Sequence, residues 1–117
     1  MIYRRLVTQP DLNSQGGLHG GILMKWVDES CGIEARILTG LNCVTRHISD
    51  IDFRSTAELG DILEISVYLI KSGRTSLTFS SIIKNSLTGS LIATFDKIIF
   101  VSLGKNKKSI AHNYRIN

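Results

Sequence analysis

The sequence predicts an α+β fold in which a curved antiparallel sheet of five to six strands wraps around one long central helix. One apolar segment, 21–38, is long enough for such a helix, and four later segments carry the β-branched or alternating side chains typical of strands. Strands this long beside one very apolar helix favour a sheet that curls about it. The length of 117 residues fits a single domain, which we expect to span 1–117.

The predicted helix lies between a glycine-rich loop and a glycine stop. A short extended segment at 2–8 comes first, Pro10 closes it, and 10–20 is predicted to be a loop. The helix at 21–38 should end before Gly40, because glycine readily adopts the left-handed conformation that terminates helices. Later strands are predicted at 43–53, 61–71, 74–84 and 91–103.

The turns and the apolar helix together predict how the domain packs. Ser72-Gly73 and Thr88-Gly89-Ser90 are short enough for hairpin turns, so we expect the four later strands to form a meander. Apolar residues go most of the way round the helix, so we expect it to be largely buried. A small sheet with a single helix leaves much apolar surface uncovered, and we expect a homo-oligomer to cover it.

Composition and charge exclude several classes of protein. Hydrophobic residues make up 43% and charged residues 21%, which argues against disorder. The longest apolar runs, such as 98–101, are far below the roughly 18 residues that span a bilayer, so we expect no membrane insertion. The first ten residues lack the apolar centre of a signal peptide, which predicts a cytoplasmic protein. A net charge of +4, scattered and without interleaved aromatic residues, gives little support for nucleic-acid binding.

The cysteines and the last lysines have simple interpretations. Cys31 and Cys43 cannot make a disulfide framework or a zinc set, so we expect two small buried side chains and no metal site. Lys105, Lys107 and Lys108 follow the last predicted strand. They are either a solvated tail or a contact for a ligand phosphate.

The loop before the helix has the composition of an anion site. Backbone N–H groups at a helix start have no partner within the helix and carry the positive end of its dipole. Glycines there let a carbonyl or phosphate oxygen approach the backbone closely. His19-Gly20-Gly21 is therefore a candidate oxyanion hole, and a plain glycine-rich turn is the alternative.

Asp28 is the candidate acid, and its position in the chain suggests a dimer. It follows Gly20 by eight residues, about 12 Å along a helix, whereas a reacting carbonyl must lie about 3 Å from both the oxyanion donor and the attacking group. Two antiparallel helices from two subunits could bring the groups together. Alternatively, Asp28 and Glu29 form a solvated helix edge that pairs with Lys25 or Arg36.

These residues carry a resemblance to a known family. Asn13-x-x-Gly16-x-x-His19-Gly20-Gly21, followed by Asp28, resembles the signature of hotdog-fold acyl-CoA thioesterases, and HGGILMKWVDE is most similar to the group of bacterial YciA and brain acyl-CoA hydrolases. VTRHISDIDFRSTAELGD (44–61) and KSGRTSLTFSSIIKN (71–85) resemble that group's second strand and next hairpin. The similarity covers about 3–103.

The resemblance implies a hotdog fold and hydrolysis of an acyl-CoA thioester to a free acid and CoA. It implies no cofactor, because coenzyme A is part of the substrate, and a homo-oligomer built from dimers into tetramers or hexamers. Asp28 would activate water or attack the thioester carbon, and Asn13 of the facing subunit would position the water or the carbonyl. The Gly20 N–H would hold the oxyanion with Gly21 nearby, and His19 would brace the loop or Asn13. Asn13 could instead build an Asx turn, and His19 could simply pack.

The resemblance also implies where the rest of the substrate lies. The residues at which this group meets the nucleotide and pantetheine arm correspond to Gly73, Arg74, Thr75 and Ser76, with Arg54 and Lys71 as phosphate contacts. Trp26, Met24 and Leu23 line an acyl tunnel or belong to the core. The loop at 54–56 lacks a proline that this group often has, and we expect any longer C-terminal tail to be absent or reduced.

Two other functions remain open from the sequence. A hotdog hydratase or dehydratase would use a histidine poised over the substrate together with an acid, but here His19 precedes the helix, which favours hydrolysis. A binding module that senses acyl-CoA or a nucleotide without turnover is the other alternative.

Overall fold

The computed structural model describes residues 1–116 as five strands and one long helix. The strands are β1 (Ile2–Leu6), β2 (Asn42–Phe53), β3 (Ile62–Ser72), β4 (Ser76–Asn85) and β5 (Leu91–Leu103), and the helix is α1 (Gly20–Thr39). A short 3-10 helix, Gln9–Asp11, precedes α1. The predicted α+β class is confirmed, with five strands. The predicted stop is also confirmed, since Gly40 caps α1 with a φ of 71°.

The strands form one antiparallel sheet in the order β1-β3-β4-β5-β2. The predicted meander is right for β3 to β5 and wrong for β2, which pairs with β5 instead of β3. The connection after β2 crosses the N-terminal end of α1, where the Leu18 N–H donates to Ala57 O at 2.8 Å. This crossing carries the chain from one edge of the sheet to the other side. It also lets β2 and β5, the two longest strands, pair with each other, so that many backbone N–H and C=O groups form hydrogen bonds.

The core lies between one face of α1 and the inner face of the sheet. The helix contributes Leu23, Trp26, Val27, Cys31 and Ala35. Burying one large apolar side chain contributes about 1.5–3 kcal/mol, so this layer dominates the stability. Phe79 of β4 and Phe100 of β5 meet edge to face with ring centroids 6.1 Å apart. Trp26 also belongs to this core, which agrees with the core position predicted as the alternative to an acyl tunnel.

The opposite face of α1 exposes Ile33 and Ile37 beside Lys25 and Arg36, so the expectation of a largely buried helix is wrong for the single chain. Ile33 is 45% exposed and Ile37 62%, and Val44 of the adjacent strand is 48% exposed. The sheet covers only one side of the helix because five strands do not close around it. The outer edge of β2 is likewise unpaired within residues 1–116. An apolar helix face beside an unpaired strand edge is the surface expected of an oligomer.

The segment after β5 turns back toward the β3–β4 hairpin. The Gly104 N–H donates to Lys108 O at 2.9 Å, which closes a turn that carries Lys105, Lys107 and Lys108 as exposed side chains. The solvated interpretation of these lysines fits this position. Within residues 1–116, α1 is not apolar enough to cross a bilayer, and no other helix is a candidate for doing so.

Candidate active site

Asn13 organises the loop that leads into α1. Its side-chain oxygen accepts the N–H of Gln15 at 2.9 Å and of Gly17 at 3.1 Å, which is an Asx turn. The Asx turn that the sequence offered as the other role of Asn13 is thus present. The amide nitrogen of the same side chain makes no hydrogen bond within residues 1–116 and is exposed to solvent. Asn13 can therefore build the loop with its oxygen and offer its N–H groups to a ligand.

In the first turn of α1, the backbone N–H groups of Gly20 and Gly21 differ in their hydrogen bonding. His19 is the N-cap, and its Nδ1 accepts the Gly21 N–H at 2.9 Å. The Gly21 N–H is therefore already used, and Gly21 lies next to the Gly20 N–H without offering a second free donor. The Gly20 N–H donates to no acceptor in the described part of the chain. His19 is exposed, so it braces the helix start and does not pack in the core.

A cavity of about 310 Å³ opens beside the Gly20 N–H. It is lined by Leu18, Gly20, Leu23, Phe53, Ile92 and the loop 54–57. A side chain at Gly17 would collide with Thr56 Oγ1, so glycine lets this loop lie against the start of α1. The Arg54 and Ser55 N–H groups both donate to Ile92 O, at 2.8 and 3.2 Å. A proline at Arg54 or Ser55 would remove one of these donors.

Asp28 and Glu29 have different surroundings although they are adjacent. Glu29 pairs with Arg5 at 2.9 Å and with Lys25 at 3.9 Å, so the solvated-edge interpretation holds for Glu29. Asp28 makes no ion pair within residues 1–116 and instead accepts a hydrogen bond from the hydroxyl of Thr45 on β2. A carboxylate that is oriented by a hydroxyl and not neutralised by a cation keeps its charge available for chemistry.

Asp28 lies at one end of an open groove of about 620 Å³. The groove runs between α1 and β2 and is lined by Asp28, Glu29, Gly32, Ile33, Arg36, Ile37, Cys43, Val44, Thr45 and Phe100. Gly20 is not among its lining residues and opens into the other cavity. One chain therefore does not bring Gly20 and Asp28 to the same atom, as the 12 Å estimate implies.

The residues expected to contact coenzyme A fall into three places. Gly73 and Arg74 line a cavity of about 340 Å³ at the β3–β4 hairpin, and Thr75 lies between them and Ser76. Lys71 and Ser76 line a cavity of about 520 Å³ on the outer face of the sheet. Arg54 lies at the Gly20 cavity, where its Nε is 2.7 Å from a carboxylate oxygen of Asp52.

Sequence reasoning missed two groups of residues at these cavities. Thr45 meets Asp28 from a strand, and no spacing rule links a strand hydroxyl to a helix carboxylate. Tyr114 and Arg115 line the Gly73 cavity from the far end of the chain. Within residues 1–116, no three His, Cys, Asp or Glu side chains converge as metal ligands would.

Cys31 lies one turn after Asp28 and is fully buried. Burial raises the pKa of its thiol to about 12, and the negative charges of Asp28 and Glu34 act in the same direction. In the unfolded chain the thiol has its ordinary pKa, so the folded state holds its proton more tightly. The stability from this group is complete below about pH 9 and is lost as the pH rises toward 12.

Cys31→Ala is expected to be less stable than the wild type at pH 7.5 but less sensitive to alkali. Between pH 7.5 and 10 the wild type should lose about 1.4 kcal/mol more unfolding free energy than the variant, which has no thiol to ionise. Urea unfolding at both pH values and one protein concentration measures this difference. Equal losses of unfolding free energy in the two proteins would contradict a raised pKa of the Cys31 thiol.

Comparison with known proteins places this geometry in a family. The profile of the thioesterase superfamily matches residues 15–90, which include the start of α1, Asp28 and the β3–β4 hairpin. The chain belongs to the thioesterase superfamily. The match covers more than half of the chain and agrees with the resemblance seen in the sequence.

Named superfamily relatives share sequence or structure with this thioesterase-superfamily chain. Acetyl-coenzyme A thioesterase of Mus musculus is 32% identical over 100 residues, which is 81% of this chain and 18% of that protein. The chain thus spans less than a fifth of the length of its mouse and rat relatives. A hexameric acyl-CoA thioesterase is 30% identical, with a TM-score of 0.86 over 95% of this chain and 73% of that one.

An acyl-CoA hydrolase from Staphylococcus aureus, solved with butyryl-CoA and CoA, is 27% identical to this superfamily member. The TM-score is 0.83, over 95% of this chain and 67% of that one. Further structures of that hydrolase carry alanine in place of an asparagine, an aspartate or a threonine. These matches over nearly the whole chain confirm the hotdog fold.

Proposed function

We propose that the chain is an acyl-CoA thioesterase, which adds water to R–CO–S–CoA and releases a carboxylic acid and the CoA thiol. The observation that carries the proposal is the Asp28 carboxylate, held by a hydroxyl and free of ion pairs, at the end of an open groove. A thioester is already an activated acyl group. A carboxylate and an oxyanion donor therefore suffice, and the proposed reaction needs no metal or redox cofactor.

The relatives support three of the residue roles. In the Staphylococcus aureus hydrolase, the replaced asparagine, aspartate and threonine are separated along the chain as Asn13, Asp28 and Thr45 are here. Asp28 would supply the carboxylate, and Thr45 would orient it through the hydrogen bond described above. Asn13 would direct its free amide N–H groups at the water or the carbonyl. These roles agree with the side-chain contacts in this chain.

A second copy of the chain would complete the site. The carbonyl must lie about 3 Å from both the Gly20 N–H and the Asp28 carboxylate, which one helix cannot provide. The open groove and the unpaired edge of β2 offer a self-complementary surface next to Asp28. Pairing two chains there would bring the Asn13–Gly20 loop of one chain toward Asp28 of the other. The hexameric relative supports further assembly of such dimers into a hexamer.

Release of free CoA thiol from a panel of acyl-CoAs, short to long and aromatic, tests the proposed function. Turnover of at least one of them supports it, and the panel identifies the acyl class. Tight binding of CoA without thiol release from any substrate would instead support an acyl-CoA-binding module. Addition of water to an enoyl-CoA with the thioester left intact would support a hydratase.

Asn13→Asp is expected to lower kcat by about 100-fold while the loop stays folded. Aspartate retains the oxygen that accepts the Gln15 and Gly17 N–H groups, but it cannot donate as the amide nitrogen does. Loss of one preorganised donor to a reacting oxygen has about this effect. Thiol release and the thermal midpoint are measured together.

Gln15→Glu is the matched control for this substitution. It makes the same change of charge in the same exposed loop, where only the backbone N–H of Gln15 is used. Its kcat should stay within about twofold of wild type. Wild-type turnover by Asn13→Asp would remove the amide nitrogen from the mechanism.

A further inference from the structure

The cavity beside Gly20 has an exposed rim and a buried apolar floor, and we call it the Gly20 pocket. Its floor is formed by Leu23, Ala57 and Ile92, none of which is more than 2% exposed. Its rim is formed by the exposed loop 54–56 and by Phe53, whose ring comes within 3.6 Å of the place that a Cβ on Gly20 would take. The pocket therefore opens to solvent next to Gly20 and is closed at its inner end.

A β-bulge places Ile92 at this floor. Ile83 pairs with Ala93 and Lys84 pairs with Leu91, so Ile92 is the extra residue between two paired positions of β5. A bulge of this kind changes the direction of a side chain, and neighbouring residues no longer alternate between the two faces of the sheet. Ile92 and Ala93 are accordingly both buried in the core, and Ile92 is the one that lines the pocket.

The polar side chains of the Gly20 pocket lie at its rim. The Ser55 hydroxyl donates to Leu91 O at 2.6 Å. Arg54 is the only charged residue of the lining within residues 1–116, and its Nε is 2.7 Å from a carboxylate oxygen of Asp52. The floor presents only apolar side chains. A charged group that entered the pocket would lose its water without gaining a partner there, which is costly.

A closed pocket next to the proposed oxyanion donor can take only one end of a thioester. The arm that joins the sulfur to the rest of coenzyme A must return to solvent, so it cannot end against a buried floor. The acyl chain is a free end and can do so. With the carbonyl oxygen at the Gly20 N–H, the acyl chain has a direct path toward Leu23 and Ile92.

We propose that the Gly20 pocket holds the acyl chain of the substrate and that Ile92 sets the longest chain that fits. The pocket volume of about 310 Å³ is roughly ten times the 30 Å³ that one water molecule takes in the liquid, and a methylene group is of similar size. Because the reacting carbonyl and sulfur take part of this space, a straight, uncharged acyl chain of up to about eight carbons fits. This inference rests on the proposed function, because it names the substrate class of that site.

The first test is the rate of thiol release from straight-chain acyl-CoAs of increasing length, measured on the assembled full chain. For wild type, kcat/KM should rise about fourfold for each added methylene that enters the pocket. The rise should stop at about eight carbons, where the pocket is full. A kcat/KM that does not depend on chain length would overturn the inference.

Ile92→Ala is expected to move this limit to chains about two to three carbons longer, because it removes three carbon atoms from the floor. Ile92→Val removes one methylene, should fold like wild type, and should move the limit by about one carbon. Ile98→Ala is the matched control, because Ile98 is equally buried on the same strand and does not line the pocket. An unchanged limit in both Ile92 variants, or an equal shift in Ile98→Ala, would overturn the role of Ile92.

A second comparison tests the apolar character of the floor. A four-carbon acyl-CoA with a terminal carboxylate should have a kcat/KM at least about 100-fold below that of the unsubstituted four-carbon ester, since the carboxylate would be buried without a partner. Equal values for the two esters would overturn the assignment of the acyl chain to this pocket.

Binding of thioether analogues of the same acyl-CoAs separates this inference from the proposed function, because a thioether cannot be hydrolysed. Calorimetry should show affinity rising about fourfold per methylene up to the same limit, and Ile92→Ala should shift that limit. If wild type releases thiol from no acyl-CoA, the proposed function is rejected and the shifted limit still supports the pocket. Thioether affinity that does not depend on chain length overturns the pocket alone.

Discussion

Asp28→Asn is expected to lower kcat on the best acyl-CoA by about 100-fold or more and to leave the fold intact. Asparagine has nearly the same shape, and its side-chain oxygen can still accept the Thr45 hydroxyl. It carries no negative charge, so it can neither take a proton from water nor attack the thioester carbon. Thiol release, circular dichroism and the oligomeric state are measured on the same preparation.

Glu29→Gln provides the matched control for this variant. It removes the neighbouring carboxylate from an exposed pair with Arg5 and Lys25, a contact worth at most about 1 kcal/mol. Its turnover should stay within about threefold of wild type. Near-wild-type activity in Asp28→Asn would keep the thioesterase and reject Asp28, and equal losses in both variants would show that the effect is not specific to Asp28.

Ile37→Lys is expected to separate the proposed oligomer into monomers and to abolish measurable turnover. Ile37 is exposed on the apolar face of α1 and lines the groove. A lysine there would place an unpaired charge in the contact between two chains, which costs several kcal/mol of association free energy. Turnover should be lost with assembly, because the proposed site takes Asn13 and Gly20 from one chain and Asp28 from the other. Light scattering and thiol release measure the two effects at one concentration.

Leu87→Lys is the control for a charge placed on an exposed leucine. Leu87 is 65% exposed in the β4–β5 turn and lies outside the groove, so assembly and turnover should be unchanged. A fully active Ile37→Lys monomer would contradict the shared site. Co-assembly gives an independent check, because mixing Asp28→Asn chains with Asn13→Asp chains should restore activity through dimers with one intact site.

Local patterns were sufficient to predict the elements of the fold. The helix at 21–38, its stop at Gly40 and the strand at 91–103 follow from hydrophobic period and turn residues, which act over a few positions. The partner of β2 could not be predicted in this way. Strand pairing depends on the crossing of the loop 54–61 over α1, and that crossing is a long-range event.

The candidate site likewise has a part that the sequence predicts and a part that depends on the folded chain. Asn13, Gly20 and Asp28 were visible because a glycine-rich helix start and an acid in an apolar helix break local rules. The hydrogen-bond partners of these residues could not be predicted from the sequence. That the Gly21 N–H is occupied by His19, and that Asp28 is held by Thr45, depends on where side chains point in the folded chain.

The helix, the strands and the residues that break local rules could be predicted from the sequence alone, because each depends on neighbouring positions. The family resemblance could be predicted as well, because its motifs are short and keep their order along the chain. The sheet order, the separation of Asp28 from the ion pairs of Glu29, and the packing of residues 109–116 on the β3–β4 hairpin appear only in the folded chain. These features join residues far apart in the chain. Their energies come from packing and hydrogen bonds that exist only once the sheet has formed against α1.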